Sequence, residues 1–361
     1  MILVEANDAD TVWRQLVSEF QASSRFQDSR NGPTKELLHV VIRIDDPRQR
    51  VVFARPINPS FAIAEIIWIL AGSDDVSFLK FWNHRMKQYS DDGTRLCGAY
   101  GYRLGSQPGL TADLIQRLRH WSNSEKLPDQ LRMAYEALTN TPHSRQAVLQ
   151  IWNSQMDMPN PNPKSKDIPC NLVSHLLVRD GKLEWLQVMR SNDFFWGLPY
   201  NIIQFTTLQE VIAGWLGLDI GSYVHISDSL HAYERHWKDF PALPSDQPRP
   251  PHNEADLRIR TYGEWERVFR NVVESAVHLT DPISAEDLIE TASKSAGITP
   301  AYVQMIYLLA AEALRRRGHL EEAERIVDKA GPYWSTSWRQ WAQKAGGQKS
   351  SAGGAISDSS R

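Results

Sequence analysis

The sequence predicts an α+β fold: a mixed sheet packed with helices, followed by an all-helical C-terminal extension. Three observations predict it. Short β-patterned runs are interspersed with apolar helical segments up to about residue 281. Two of those runs are hinged at Asp180-Gly181, a strong hairpin signal. Beyond the proline-rich stretch 241–256 the chain reads as helices separated by Gly or Pro, with no fixed repeat period. Cutting at Asp281-Pro282 gives a core of residues 1–281, a helical extension over 282–345 and a Gly/Ser-rich tail over 346–361, whose composition predicts disorder.

The elements run in order. Residues 8–23 have helical apolar spacing, and "SRNGPTKE" (29–36) is a Gly-Pro loop. "LLHVVIRI" (37–44) reads as a strand closed by Asp45-Asp46-Pro47. "NPSFAIAEIIWILAGS" (58–73) opens with a cap-like Asn-Pro-Ser and predicts a buried helix ending at Gly72. Residues 74–86 form an amphipathic helix, 90–105 a Gly-rich loop, and 110–122 and 128–138 two polar helices. "RQAVLQIW" (145–152) is a strand and 156–170 a long loop. The hairpin strands are 172–179 and 182–190, and residues 200–218 form a long, mostly buried helix ending at Gly217. A strand over 221–229 and a short helix over 230–240 complete the sheet region. Further helices are expected over 262–279, 284–297, 299–318 and 320–331.

Composition narrows the function. A net charge of −3 gives no electrostatic case for nucleic acid or membrane binding. No apolar run reaches the ~18 residues that span a bilayer, and the N-terminus lacks the basic and apolar regions of a signal peptide. Two cysteines build no disulfide framework and suit a reducing compartment, so the expectation is a soluble, cytoplasmic protein. Thirteen tryptophans suggest core, interface and stacking roles.

Cys170 comes directly after a proline and opens a hairpin strand whose partner ends at Arg190. If Arg179 faces Lys182 across a two-residue turn, Cys170 lies opposite Ser191 and next to Arg190. A thiol becomes nucleophilic as thiolate, which a neighbouring cation favours, so Arg190 can be a thiolate neighbour or an anion clamp. The plainer alternative is a small buried hydrophobe at a strand start.

The order of features favours the first reading. Pro-Cys is followed by Arg190-Ser191-x-Asp193, then by Gly-Leu-Pro-Tyr-Asn opening a helix, then by "SDSLHAY" (227–233). With "SRNGPTKE", "FAIAEIIWILAGSDD" (61–75), "GAYGYRL" (98–104) and "SRQAVLQIWN" (144–153), this set resembles the thymidylate synthase family over roughly residues 20 to 240. The resemblance implies that family's mixed sheet and its chemistry. A cysteine attacks C6 of a uracil ring, and C5 then takes a one-carbon unit from 5,10-methylenetetrahydrofolate.

The resemblance implies a role for each matching residue. Cys170 would be the nucleophile, with Cys97 a bystander. Arg30, Arg190, Ser191 and Arg145 would clamp the phosphate, arginine being suited by its planar fork. In the family the residue matching Arg145 comes from the partner subunit, which implies a homodimer. Asn201 would read the uracil edge, accepting from N3–H and donating to O4. Its alternative is a helix N-cap. His231 and Tyr233 would hold the 3′-hydroxyl. Their neighbours His225 and His236 invite a metal reading, but the spacing fits no zinc pattern. Glu65, a carboxylate in an apolar helix, would be the acid/base, since burial raises its pKa. Tyr100 resembles the tyrosine that helps remove the C5 proton, and Asp193 the residue that binds the pterin.

Four departures bear on the product. Asn171 stands where the family usually has His, and Gln146 where it has a second arginine. Met86 and Tyr89 stand where bacterial members have tryptophans over the folate. The family's short closing C-terminal tail has no match. A closed, dry site lets hydride give a methyl group, whereas an open one admits water and gives a hydroxymethyl group. The sequence puts methylation of dUMP to dTMP first on family frequency. The alternatives are a pyrimidine nucleotide 5-hydroxymethylase and a non-catalytic nucleotide-binding homologue. A cysteine protease ranks far below, as no protease signature surrounds Cys170.

Overall fold

The first residues form a strand that their composition did not announce: β1 (Ile2–Ala6) lies parallel to β3 (Thr34–Ile44) at the sheet edge. The computed structural model describes residues 1–29, 31–105, 128–158, 165–240, 251–294 and 298–352, the last seven of these as backbone only. The helix expected over 110–122 lies outside the described residues. Between β1 and β3 come α1 (Ala9–Ala22), capped by the Asp8 carboxylate accepting from Thr11 N at 2.7 Å, and the short β2 (Phe26–Gln27).

Helix α2 (Pro59–Leu70) starts as its sequence dictates, with Asn58 accepting from Phe61 N and proline in the first turn. Every residue in it except Glu65 is buried. α3 (Val76–Trp82) runs into a 3-10 turn over His84–Tyr89. The expected Gly-rich loop contains a short helix, α4 (Tyr100–Leu104). Gly101 permits it: a Cβ there would sit 2.2 Å from the Ile69 carbonyl oxygen, so α4 lies directly on the backbone of α2. α5 (Gln130–Asn140), β4 (Val148–Gln150) and a single helical turn α6 (Ser154–Asp157) precede the hairpin.

The hairpin is β5 (Asn171–Arg179) and β6 (Lys182–Met189), with Arg179 paired to Lys182. Asp180 and Gly181 both have positive φ, 49° and 74°, the geometry of a type I′ turn. Next come β7 (Asn192–Asp193), α7 (Leu198–Trp215) and β8 (Asp219–Tyr233). Residues 230–233, expected in a helix, stay in β8 because β3 begins three residues early and pairs them, Thr34 with Tyr233. Only Glu234–Asp239 turn helical, as 3-10.

Among the described residues one mixed eight-stranded sheet has the order β1-β3-β8-β6-β5-β4, with β2 on β3 and β7 on β8. α1 and α7 cover one face, and α2 packs on α7. On the other face Val41, Val188, Val224, Leu186 and Ile226 are only half-buried, while their strand neighbours Val40, Ile42, Gln187 and His225 are fully buried.

The C-terminal helices are α8 (Tyr262–His278), α9 (Ala285–Ser293), α10 (Pro300–Arg316), α11 (Leu320–Val327) and α12 (Gly331–Ala352). They share one hydrophobic cluster with the sheet region. α10 and α12 both lie on α2. The Ser60 hydroxyl donates to Leu308 O at 3.1 Å, and Val51 N donates to the Tyr333 hydroxyl at 2.7 Å.

Candidate active site

Pro169-Cys170 leads into β5 beside the end of β6. Counting from the turn puts Cys170 opposite Ser191. Instead Asn171 pairs with Met189, one residue out of step, because the ladder is irregular between Asn171 and Val173. Cys170 therefore sits across from Arg190, whose backbone N donates to Cys170 O at 3.0 Å. The Arg190 guanidinium is locked in place: Nε donates to Pro169 O at 3.0 Å and Nη2 to Ile168 O at 3.4 Å. Nη2 also lies 3.9 Å from Cys170 Sγ, and the group stands over the Trp152 ring at 5.2 Å. A fixed cation at that distance favours the anionic form of the sulfur. Ser191, the next residue, is half-buried.

Glu65 and Tyr100 reach the same place because α4 rests on α2 through Gly101. Among the described residues Glu65 Oε2 is buried with no hydrogen-bond partner. Burial pushes its carboxyl up to about 7, partly offset by a hydrogen bond from Gln204. Burial likewise holds the Tyr100 phenol well above its ordinary value, helped by the negative charges of Cys170 and Glu65 and opposed by Arg190 and a hydrogen bond with Asn201. Asn201 Nδ2 in turn donates to Gln204 Oε1 at 3.0 Å. Asn201 is not the N-cap of α7. That place falls to Gly197, to whose carbonyl Asn201 N donates at 2.9 Å, leaving the Asn201 amide free to face the cluster.

The folding of the two loops explains the convergence. Asp167 accepts from the backbone N of Gly98 at 2.9 Å and of Cys97, so the segment before Cys170 is latched to the segment before Tyr100. Arg103 Nε donates to Cys97 O at 2.5 Å, and its guanidinium pairs with buried Asp157, Nη2 to Oδ1 at 2.8 Å. The Cys97 thiol is pushed up by partial burial and by Asp167, away from reactivity. Asp167, Arg103 and Gln204 are contributors that the sequence alone did not single out. Gln204 had a signal, three residues after Asn201 on one helix face; the loop residue Asp167 had none.

His231 and Tyr233 meet edge to face at 5.2 Å on β8. Burial lowers the His231 pKa, with the Asp193 charge opposing. Asn31 Nδ2 donates to the Tyr233 hydroxyl at 3.4 Å. Asp193, paired with His231, accepts from Phe195 N at 2.7 Å and Trp196 N at 3.0 Å through one oxygen. Trp196 is 40% exposed and carries Arg55 at 4.2 Å and Arg85 at 5.5 Å over its ring. Arg55 Nη1 is buried without a partner among the described residues. Met86 and Tyr89 lie on the 3-10 turn, Met86 half-buried and Tyr89 48% exposed.

Of the other histidines, His225 is a core residue bonded to Tyr223, Asn192 and Ser227, its pKa lowered by burial to about 3. His236 accepts from Trp196 Nε1 at 3.0 Å. Asn171 accepts from Gln187 Nε2 in the sheet interior. Arg145 is exposed, with its carbonyl 3.1 Å from His175 Nε2. That contact lies five residues along β5 from Cys170, roughly 17 Å at strand rise, so the chain does not bring its own Arg145 to the thiol. Arg30 lies outside the described residues.

Residues 12–280 match the family model described as thymidylate synthase. The chain is 42% identical over 213 residues to a deoxyuridylate hydroxymethyltransferase of Bacillus phage SP01, covering 56% of this chain and 51% of that protein. It is 34% identical over 216 residues to a protein of the same name from Pseudomonas phage M6, covering 58% and 55%. It is 30% identical over 193 residues to the thymidylate synthase of Corynebacterium aurimucosum, covering 52% and 63%. The chain thus spans about half the length of the phage relatives it matches.

Proposed function

The chain belongs to the thymidylate synthase family, and from that premise we propose that it transfers a one-carbon unit to C5 of deoxyuridine monophosphate and releases the 5-hydroxymethyl nucleotide. The observation that carries the reading is one juxtaposition: Cys170 Sγ lies beside the locked Arg190, and both Cys170 and Glu65, whose Oε2 has no partner among the described residues, act on Tyr100 of the Tyr100–Asn201–Gln204 chain. A sulfur, a cation, an acid of pKa about 7 and a two-way amide are what addition to C6 of a uracil requires.

In this scheme Cys170 adds to C6. Asn201 accepts from N3–H and donates to O4, which selects uracil over cytosine. Glu65, half-protonated near neutrality, holds the proton that moves between O4 and its own Oε2. Tyr100 stands by for the C5 proton. Arg190, Ser191 and Arg30 take the phosphate, and His231 with Tyr233 the sugar hydroxyl. Arg145 reaches the phosphate from a second copy. The half-buried apolar row Val41, Leu186, Val188, Val224 and Ile226 supports such a homodimer, since a sheet face of this kind needs cover.

Methylenetetrahydrofolate, when bound, supplies the carbon and, for a methyl product, the hydride. The residues present fit it: Arg55 Nη1 is a buried donor with no acceptor among the described residues, beside the open Trp196 face and Asp193. Met86 and Tyr89 lie on the 3-10 turn whose Arg85 reaches over Trp196. The 3-10 turn that carries them has no buried residue, which supports entry of water. The two phage relatives named as hydroxymethyltransferases support the same product. The methyl product is the second reading, supported by the Corynebacterium relative.

The balances differ and so does the test. Hydroxymethylation consumes water and returns tetrahydrofolate; methylation returns dihydrofolate. Incubation with dUMP and methylenetetrahydrofolate is expected to add CH₂O to the nucleotide by mass spectrometry. A gain of CH₂ selects the second reading. With 5-fluoro-dUMP and folate, a covalent adduct is expected that Cys170→Ala abolishes; reversible binding indifferent to that change overturns the enzyme reading.

A further inference from the structure

Glu312 lies fully buried in α10 and is ringed by cations of its own helix. Arg315 Nε donates to it at 2.7 Å, and Arg316 Nε lies 2.7 Å from its Oε1. Trp338 of α12 donates to it at 3.4 Å. A buried carboxylate held this firmly fixes the arginines in return. Arg316 uses its other nitrogen, Nη2, to donate to the carbonyl of Trp82, the last residue of α3. That carbonyl is among those a helix end leaves unsatisfied. Arg317, whose guanidinium stands over the Phe81 ring at 5.1 Å, tightens the same junction and donates to Leu279 O at 3.1 Å.

The residues just beyond Trp82 border the site. Asn83 caps the 3-10 turn His84–Tyr89 by accepting from Arg85 N at 3.1 Å. Arg85 then reaches over Trp196. Of the six turn residues none is fully buried and Met86 alone packs, half-buried, against the core, so the turn has little packing beneath it. Its start is set by the end of α3, where Asn83 follows Trp82.

We propose that the C-terminal helices are the fixed support of the folate-side wall, with Arg316, held by Glu312, as the positioning residue that sets where Met86 and Tyr89 stand. This rests on the reading under Proposed function for its consequence, the seating of folate and the access of water. The placement of the turn itself does not depend on that reading.

The test compares Arg316→Ala, Arg316→Lys and Ile326→Ala, the last a buried α11 residue far along the chain that lowers stability without touching α3. In the ligand-free protein, amide exchange at residues 84–89 is expected to rise about tenfold in Arg316→Ala, the scale of one lost charge-assisted hydrogen bond. Arg316→Lys recovers part of this, and Ile326→Ala leaves it unchanged. KM for methylenetetrahydrofolate rises in Arg316→Ala by a similar factor, while the dissociation constant for dUMP stays within about twofold. Unchanged exchange at 84–89, the same rise in Ile326→Ala, or a parallel loss of dUMP affinity overturns the proposal. Failure of wild-type protein to form the 5-fluoro-dUMP adduct overturns the functional reading alone, and the exchange comparison still decides the role of Arg316.

Discussion

Around Cys170 the side chains of Arg190, Tyr100 and Asn201 are held from behind by close contacts; around Tyr89 the packing is sparse. Arg190 is pinned by the carbonyls of Ile168 and Pro169, Tyr100 by the seat of α4 on α2, and Asn201 by Gln204. The residues on the proposed folate side differ. Tyr89 is 48% exposed, Trp196 is 40% exposed, and the turn between α3 and residue 90 has no buried member. The lesson is a division of labour. Bond formation at the pyrimidine needs groups fixed to a fraction of an ångström in low dielectric, and burial supplies that. In the proposed reaction the fate of the transferred carbon depends on whether water enters, which would be set at a surface where substitutions cost the fold little.

The largest effect tests the buried half. Cys170→Ala is expected to reduce turnover to background and to remove the mass-shifted adduct, while the protein stays folded, since the sulfur is only half-buried. Next comes Glu65→Gln, expected to lower kcat by about 10²–10⁴-fold. The same variant reads out the carboxyl itself. Its folded pKa is raised to about 7 from 4.5, so between those values the folded state holds a proton that the unfolded state has lost. Stability therefore falls as pH rises through that window, by about 3 kcal/mol in all, and levels off above it. Denaturant melts from pH 4 to 8 should show that slope in wild type and a flatter one in Glu65→Gln.

A smaller effect sharpens the comparison at the nucleotide edge. Asn201→Asp exchanges a donor for an acceptor at O4. It is expected to cut kcat/KM for dUMP by about 10–100-fold and to raise the relative rate with dCMP. Smallest is the exposed half: Met86→Trp should leave the 5-fluoro-dUMP adduct intact and shift product towards CH₂ by up to about tenfold, or ~1.4 kcal/mol of barrier. An unchanged product ratio would break the division, placing product choice elsewhere than this wall.

Much of this was legible in the residues. Asp180-Gly181 fixed the hairpin, and Asn58-Pro59 fixed the start of α2, because turn and cap chemistry is local. Glu65 stood out as the one charge in an apolar helix, and Arg190 as the strand-end cation near Cys170. Other features were not legible. The irregular register after Asn171, which moves Cys170 from opposite Ser191 to opposite Arg190, depends on how β5 meets two strands at once. The latch of Asp167 on residues 97 and 98 joins segments about seventy positions apart. Residues 230–233 have mixed patterning and took the state of their partner, β3.

By itself, then, the sequence determined which residues are the candidate reactive groups, the type of most elements and the family to which they point. All of these depend on side-chain chemistry and short-range spacing. Only tertiary structure decided that Arg190 would be pinned beside the thiol, that Glu65 would face the cluster with an unpaired oxygen, and that the C-terminal helices would brace α3. Each of those is a contact between distant segments, set by how buried surfaces fit together rather than by any local preference.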